Sequence, residues 1–221
     1  MKLRKKINFV ITADGGAGSG KTTGSKLIAK KYGLNFLSSG TLYRFVAHQL
    51  IKRGNKQIKK NSLKKIIRKI NSKSLKNKKI FSPEVTEYTT KIAKIKMVRN
   101  LLKNYQKAFS KKRLSIIEGR DIGTVIVPNA DLKLFFQCSL NVKAKRRYKE
   151  YLKLNKNISF TNVKKAIKLR DLNDKNRKIS PLRPAKGAVI VDTSKVNKKQ
   201  MLDMLSKIVE KKLKKKYGRN L

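Results

Sequence analysis

Residues 11–27 read ITADGGAGSGKTTGSKL, and this stretch decides the fold. Gly15-Gly16-Ala17-Gly18-Ser19-Gly20-Lys21-Thr22 matches G-x-x-x-x-G-K-[ST]. Ahead of it, INFVITA is a short apolar run with β-branched residues, the pattern of a buried strand. Behind it, TTGSKLIAKKYG places Leu27, Ile28 and Tyr32 along an apolar stripe, with Gly33 as a helix stop. Strand, glycine loop and helix in this order form the context of a phosphate-binding loop. Glycines let successive N–H groups turn inward around phosphate oxygens without a Cβ in the way, and the helix N-terminus adds partial positive charge. The loop is therefore expected to bind a nucleoside triphosphate. Lys21 would reach the β- and γ-phosphates, and the Thr22 hydroxyl would stand at Mg²⁺. The motif does not name the acceptor.

Composition narrows the class. A chain of 221 residues suits one α/β domain with insertions, and 39% hydrophobic residues suffice for a core. The chain has no run of about eighteen apolar residues, so no membrane span is expected, and INFVITAD leads straight into the loop as a core strand rather than a leader. The single cysteine, Cys138, excludes an internal disulfide and fits a reducing cytoplasm; its place after LKLFFQ predicts buried packing. The net charge of +47 raises the possibility of nucleic acid, but the lysines are spread over nearly every segment, without aromatic interleaving. No specific nucleic-acid partner is expected from that distribution.

Beyond the loop, GTLYRFVAHQLIKRG reads as a helix ended by Gly54, and Leu63, Ile66, Ile67 and Ile70 mark one short amphipathic helix. SPEVTEYTTKIAKIKMVRNLLKNYQKAF reads as a long helix with Ser82 as N-cap and Pro83 at N1. RLSIIEG, DLKLFFQ and GAVIVDT read as strands. NVKAKRRYKEYLKL, FTNVKKAIKLRDLNDKNRK and the C-terminal NKKQMLDMLSKIVEKKLKKKYG read as helices. The order predicts an α/β fold, a doubly wound parallel sheet in one domain spanning 1–221. The core is expected over about 1–35, 112–151 and 187–221, with helical excursions over about 36–111 and 152–186.

Three clusters point to the acceptor. SSGTLYR (38–44) sets hydroxyls and Arg44 at a helix start, as a phosphate clamp or a plain cap. EGRDIGTVIVPNA (118–130) sets Arg120 and Asp121 at the carboxyl end of a strand, where open α/β sheets gather ligands. In RDLNDKNRKISPLRPA (170–185), Arg170, Asp174 and Arg177 stand at i, i+4 and i+7, predicting one helical face on a flap that carries positive charge to transferring phosphates.

Together with DGGAGSGKTT and PEVTEYTTKIAKIKMVR, these clusters resemble the bacterial cytidylate kinase family over nearly the whole chain. The resemblance implies transfer of the γ-phosphoryl group of ATP to CMP or dCMP with Mg²⁺, by a cytoplasmic monomer. It implies that Gly15, Gly16, Ala17, Gly18, Ser19, Gly20, Lys21, Thr22 and Thr23 bind ATP, that Ser39, Arg44, Arg120 and Arg177 hold the acceptor phosphate, that Thr90, Arg99 and Asp121 surround the cytosine, and that Arg170 and Asp174 reach the ribose. Lys21, Arg120, Arg170 and Arg177 would offset the charge of the two polyanions. Several positions depart from the family. Gly16 stands for proline, Ser38 for aspartate and Phe81 for arginine; the segment from Gly54 to Phe81 is short and lysine-rich. Lys96 stands where relatives break the helix with proline, so a bend is required there if Thr90 and Arg99 are to meet one base. Two other readings stand beside this one: a basic RNA- or ribosome-associated NTPase, and a kinase for another small acceptor.

Overall fold

The computed structural model describes residues 7–54, 58–153 and 158–218. Strand β1 spans Phe9–Gly15 and is buried at six of its seven positions, as expected for the middle strand of a sheet covered on both faces. Helix α1, Lys21–Tyr32, starts from Gly20 in the left-handed region and closes on Gly33 in the same region. Strand β2 is Asn35–Ser38, β3 Leu114–Gly119, β4 Leu132–Gln137 and β5 Val189–Asp192. They form a five-stranded sheet in the order β2-β3-β1-β4-β5. The registers are parallel: Ile11 pairs with Ile116 on one side of β1 and with Leu132 on the other, and Phe136 pairs with Val191. The carboxyl end of β1 thus opens between β3 and β4, where the strand order turns.

The chain divides into two compact units. One comprises residues up to Leu37 and from Ser110 onward; the other is Ser38–Phe109. In the first, α1 and the C-terminal helix α9, Lys198–Tyr217, cover the sheet. Phe9, Ile11, Ile28, Tyr32, Phe136, Leu205 and Val209 form its core. The Tyr32 hydroxyl, at the end of that core, donates to Glu210 at 2.6 Å. The same unit carries α7, Leu140–Leu152, and α8, Phe160–Asn176, packed against each other through Ala144, Val163 and Ile167.

Among the described residues, the second unit's elements from Ser39 onward are helices joined by turns. Helix α2, Ser39–Lys52, is capped by Ser38, whose hydroxyl accepts the Thr41 N–H. Helix α3, Lys60–Arg68, turns Leu63 and Ile66 inward, and beyond it Ile70 is buried too; Ile67 is half-buried. A one-turn helix α4, Ser72–Leu75, and a 3-10 turn, Lys78–Phe81, follow. Helix α5, Pro83–Ile92, begins at the expected cap, Ser82, with proline at N1. Helix α6 is Lys96–Ser110. The long helix read from the sequence is therefore two helices. The chain breaks at Ala93–Ile95 without proline, through tight turns in which Lys94 N–H donates to Lys91 O and Ile95 N–H to Ile92 O. The Arg99 guanidinium donates to Ala93 O at 3.4 Å and so covers a carbonyl left open by the break. A bend of this kind is what would be needed if Thr90 and Arg99 were to meet one base.

Candidate active site

The glycine loop fits its predicted task. Gly18 and Gly20 have φ of 70° and 82°, a region where a side chain is strained. A Cβ on Gly15 would meet Phe136 O at 2.4 Å, so that position also admits only glycine. No side chain caps α1, which leaves its first N–H groups for an anion. Lys21 is buried and donates to Gly16 O at 3.0 Å. Burial, followed by the positive charge of Arg120, lowers its ammonium from 10.5 to about 7. Ser19 Oγ is buried and has no hydrogen-bond partner among the described residues.

The loop is also tied to parts of the unit that its motif does not reveal. The Thr22 hydroxyl donates to Glu118 Oε2 at 2.8 Å, joining the loop to the end of β3. Asp171 of α8 accepts the Ala17 N–H at 3.1 Å and pairs with Lys143 of α7 at 2.7 Å. A Cβ on Gly16 would meet the Asp171 carboxylate at 2.8 Å, so the glycine makes room for this contact. Arg146 of α7 donates to Gly18 O at 3.3 Å and to Thr193 O at 2.7 Å, and the Thr193 hydroxyl donates to Ser19 O at 2.9 Å. Cys138, expected to be buried, is only half-buried and accepts from Arg146 at 3.6 Å. It ends at the loop-bearing edge of the sheet rather than in the core.

After β3 the chain makes a π-turn, Ile122–Ile126, closed by Ile126 N–H on Asp121 O and Val127 N–H on Ile122 O. Such i→i+5 turns recur at functional sites. Arg120 and Asp121 lead into it. Arg120 Nε donates to Asp174 at 2.7 Å, and both side chains are largely withdrawn from solvent. Arg177 lies 3.9 Å from both Asp174 and Asp121. Burial opposes the charge on Asp174, but Arg120, Arg170 and Arg177 outweigh it and hold its carboxyl below the usual carboxylate range. Arg120, Arg170 and Arg177 thus act together on one acid. The helical-face expectation is corrected in one respect: α8 ends at Asn176, and Arg177 is its C-cap in an extended conformation. There its Nε donates to Ser180 O, and Leu182 N–H returns to Asp174 O at 2.8 Å.

The remaining residues lie in the second unit. Ser39 is buried and accepts from Gln106 at 2.6 Å. Arg44 donates to the Thr86 hydroxyl at 2.6 Å, and its guanidinium stands 5.4 Å from the Phe81 ring. Phe81, where arginine was expected, therefore meets a cation with a π-face. Thr90 is exposed on α5, and its hydroxyl donates to Thr86 O at 3.4 Å. Arg99 is half-buried at the start of α6.

Residues 11–211 match the cytidylate kinase family. The chain belongs to that family. It is 35% identical over 214 residues to a cytidylate kinase of Fusobacterium nucleatum, covering 92% of this chain and 98% of that one. It is 36% identical over 220 residues to a cytidylate kinase of Thermotoga neapolitana, with 94% and 100% covered. For one of Clostridium botulinum the figures are 36% over 216 residues, 93% and 99%. Among solved structures, an uncharacterized protein from Eubacterium ventriosum superposes with a TM-score of 0.54 at 15% identity, covering 92% of this chain and 99% of that one. TT1252 from Thermus thermophilus does so with a TM-score of 0.50 at 17% identity, covering 94% and 99%. These two share the fold. Among the described residues no helix is long and apolar enough to cross a membrane.

Proposed function

We propose that the chain transfers the γ-phosphoryl group of ATP to CMP or dCMP, giving ADP and CDP or dCDP. The observation that carries this reading is the convergence of Arg120 and Arg177 on Asp174, beside Asp121, in the same unit as the open glycine loop. A monophosphate acceptor is an anion with a base to be read, and this set offers guanidinium forks for the phosphate and a carboxylate for the base. The family resemblance implies that Ser39 and Arg44 also contact the acceptor phosphate, that Thr90 and Arg99 contact the cytosine, and that Arg170 and Asp174 contact the ribose. Residues 15–23 take the ATP phosphates on their N–H groups and on Lys21.

The acceptor phosphate oxygen attacks the γ-phosphorus in line and ADP leaves, so little covalent work falls to the protein. Its contribution is to hold two polyanions together and to offset their repulsion with Lys21, Arg120, Arg170 and Arg177. Among the described residues no group of three or more His, Cys, Asp or Glu could hold a metal by itself. The hydroxyl of Thr22 on the Glu118 carboxylate is instead an all-oxygen pair that suits Mg²⁺ held chiefly by phosphates. Mg²⁺ bound there supplies neutralisation of charge on the transferring group. Under this reading the protein works as a cytoplasmic monomer.

The test is coupled ADP release on mixing ATP with a panel of CMP, dCMP, UMP, AMP, shikimate and RNA. Turnover with CMP or dCMP well above the rest is expected. Strict dependence on RNA would replace this reading with a nucleic-acid switch, and preference for another small acceptor would replace the substrate.

A further inference from the structure

Asp14 stands apart from the phosphate and acceptor contacts. It lies in β1, one residue before the loop, yet its side chain crosses to the turn after β3. Its Oδ1 accepts the Ile122 N–H at 2.9 Å and its Oδ2 accepts the Gly123 N–H at 2.7 Å. These are the first two N–H groups of the π-turn, and the residue before them, Asp121, makes no capping bond of its own. The cap comes instead from a strand 108 and 109 residues away. We propose that Asp14 is a positioning residue for the acceptor: its carboxylate fixes the turn that carries Arg120 and Asp121, and so sets how the nucleoside monophosphate is held.

Three observations support this. The turn approaches β1 so closely that a Cβ on Gly123 would meet Thr12 Oγ1 at 2.8 Å and Asp14 Oδ2 at 3.3 Å. A carboxylate is the one side chain of this length that offers a separate acceptor oxygen to each of two N–H groups, whereas asparagine would turn an amide donor against one of them. Finally, the group is retained against its own burial, which pushes the acid up to about 6 although the Gly123 and Ile122 N–H bonds pull it down. Asp121 adds to the rise and Lys21 opposes it. A neutral residue would escape that penalty, but it would lose the two-point hold.

The inference rests on Arg120 and Asp121 being acceptor ligands, so the experiment runs Asp14→Asn beside Asp121→Ala. In Asp14→Asn the KM for CMP should rise about tenfold, the preference for CMP over UMP should narrow, and the KM for ATP should stay within about twofold. A variant that loses ATP and CMP equally, or keeps its CMP parameters, overturns the proposal. If Asp121→Ala loses acceptor choice and Asp14→Asn does not, the bracing role alone has failed. If Asp121→Ala keeps wild-type acceptor parameters, the acceptor assignment has failed and the bracing role falls with it. Should Asp14→Asn not fold, Gly123→Ala displaces the same turn with the carboxylate in place. The same split between CMP and ATP is then expected, and equal loss toward both overturns the proposal.

Discussion

The turn after β1 and the turn after β3 leave neighbouring parallel strands at the same edge of the sheet, and they are held by different means. The first is shaped chiefly by its own residues, although Asp171, Arg146 and Thr193 also reach it. Gly18 and Gly20 take left-handed conformations, Gly15 admits the carbonyl of Phe136, and Lys21 closes back on Gly16 O. The second is held by residues from elsewhere. Asp14 caps it from β1, Asp174 reaches Arg120 from α8, and Arg177 stands against Asp121 from beyond the helix end. A loop of the first kind is broken by changing its own residues. A turn of the second kind can be moved without touching any residue in it.

The largest effect is expected inside the self-held loop. Lys21→Ala should lower turnover by about 10²–10³-fold or more, the cost of removing a donor aimed at developing charge. Thermal melting should not fall with it, because burial already disfavours the ammonium. Near wild-type turnover would remove ATP from this loop.

The next effect belongs to the braced turn. Arg120 and Asp174 are mostly withdrawn from solvent, so removing one partner strands the other. Asp174→Asn should cost about 3 kcal/mol in urea denaturation at neutral pH. Because the Asp174 carboxyl is held below its ordinary range, its contribution is present at neutral pH and is lost as the solution is acidified. The variant should therefore show a flatter acid limb of stability than the parent. Equal limbs would mean that the arginines do not depend on this acid.

A third expectation links the two turns, since Arg120 is the positive charge that most lowers the Lys21 ammonium. A lysine held at about 7 rather than 10.5 binds fewer protons folded than unfolded between those values. Its contribution to stability therefore rises with pH across that window. A polyphosphate beside the ammonium favours the charged form, so ATP binding near pH 8 should take up about one proton. Calorimetry in two buffers of different ionisation enthalpy reads this directly, and Lys21→Ala should abolish the difference. Buffer-independent heats in the parent would show that the lysine is already charged.

The contrast between the turns also explains what could be read beforehand. β1, the glycine loop and α1 were legible because each rests on neighbours in sequence: an apolar run, glycines at fixed offsets, and Gly33 as a stop. The arginines on the acceptor side were legible as residue types at a strand end, but their partners were not. Arg120 finds Asp174 at a separation of 54 residues and Thr22 finds Glu118 at 96, distances over which no local pattern speaks. The π-turn was missed for the same reason, since its cap lies in another strand. Arg177 was placed on a helical face because spacing alone does not show where α8 ends. The break at Ala93–Ile95 carries no proline or glycine signal, and only the demand that Thr90 and Arg99 share a base pointed to it.

Gly16 offers the smallest and sharpest test, because there a glycine of the loop makes room for a remote side chain. Its φ lies outside the left-handed region, so alanine is conformationally admissible there and only space opposes it. The space belongs to Asp171, whose Oδ1, Oδ2 and Cγ would lie 2.8, 3.1 and 3.2 Å from the new methyl group. That carboxylate is held by the Ala17 N–H and by Lys143 at 2.7 Å, so it cannot move aside without giving up a bond. Gly16→Ala should thus cost about 1 kcal/mol, the net worth of one such hydrogen bond. In an Asp171→Ala background these three atoms are gone, and the cost should fall away. Denaturation midpoints of the parent, the two single variants and the double variant close the cycle, with a coupling of about 1 kcal/mol expected. Additive effects would mean that Asp171 does not occupy the space Gly16 leaves, and that the glycine serves the loop alone.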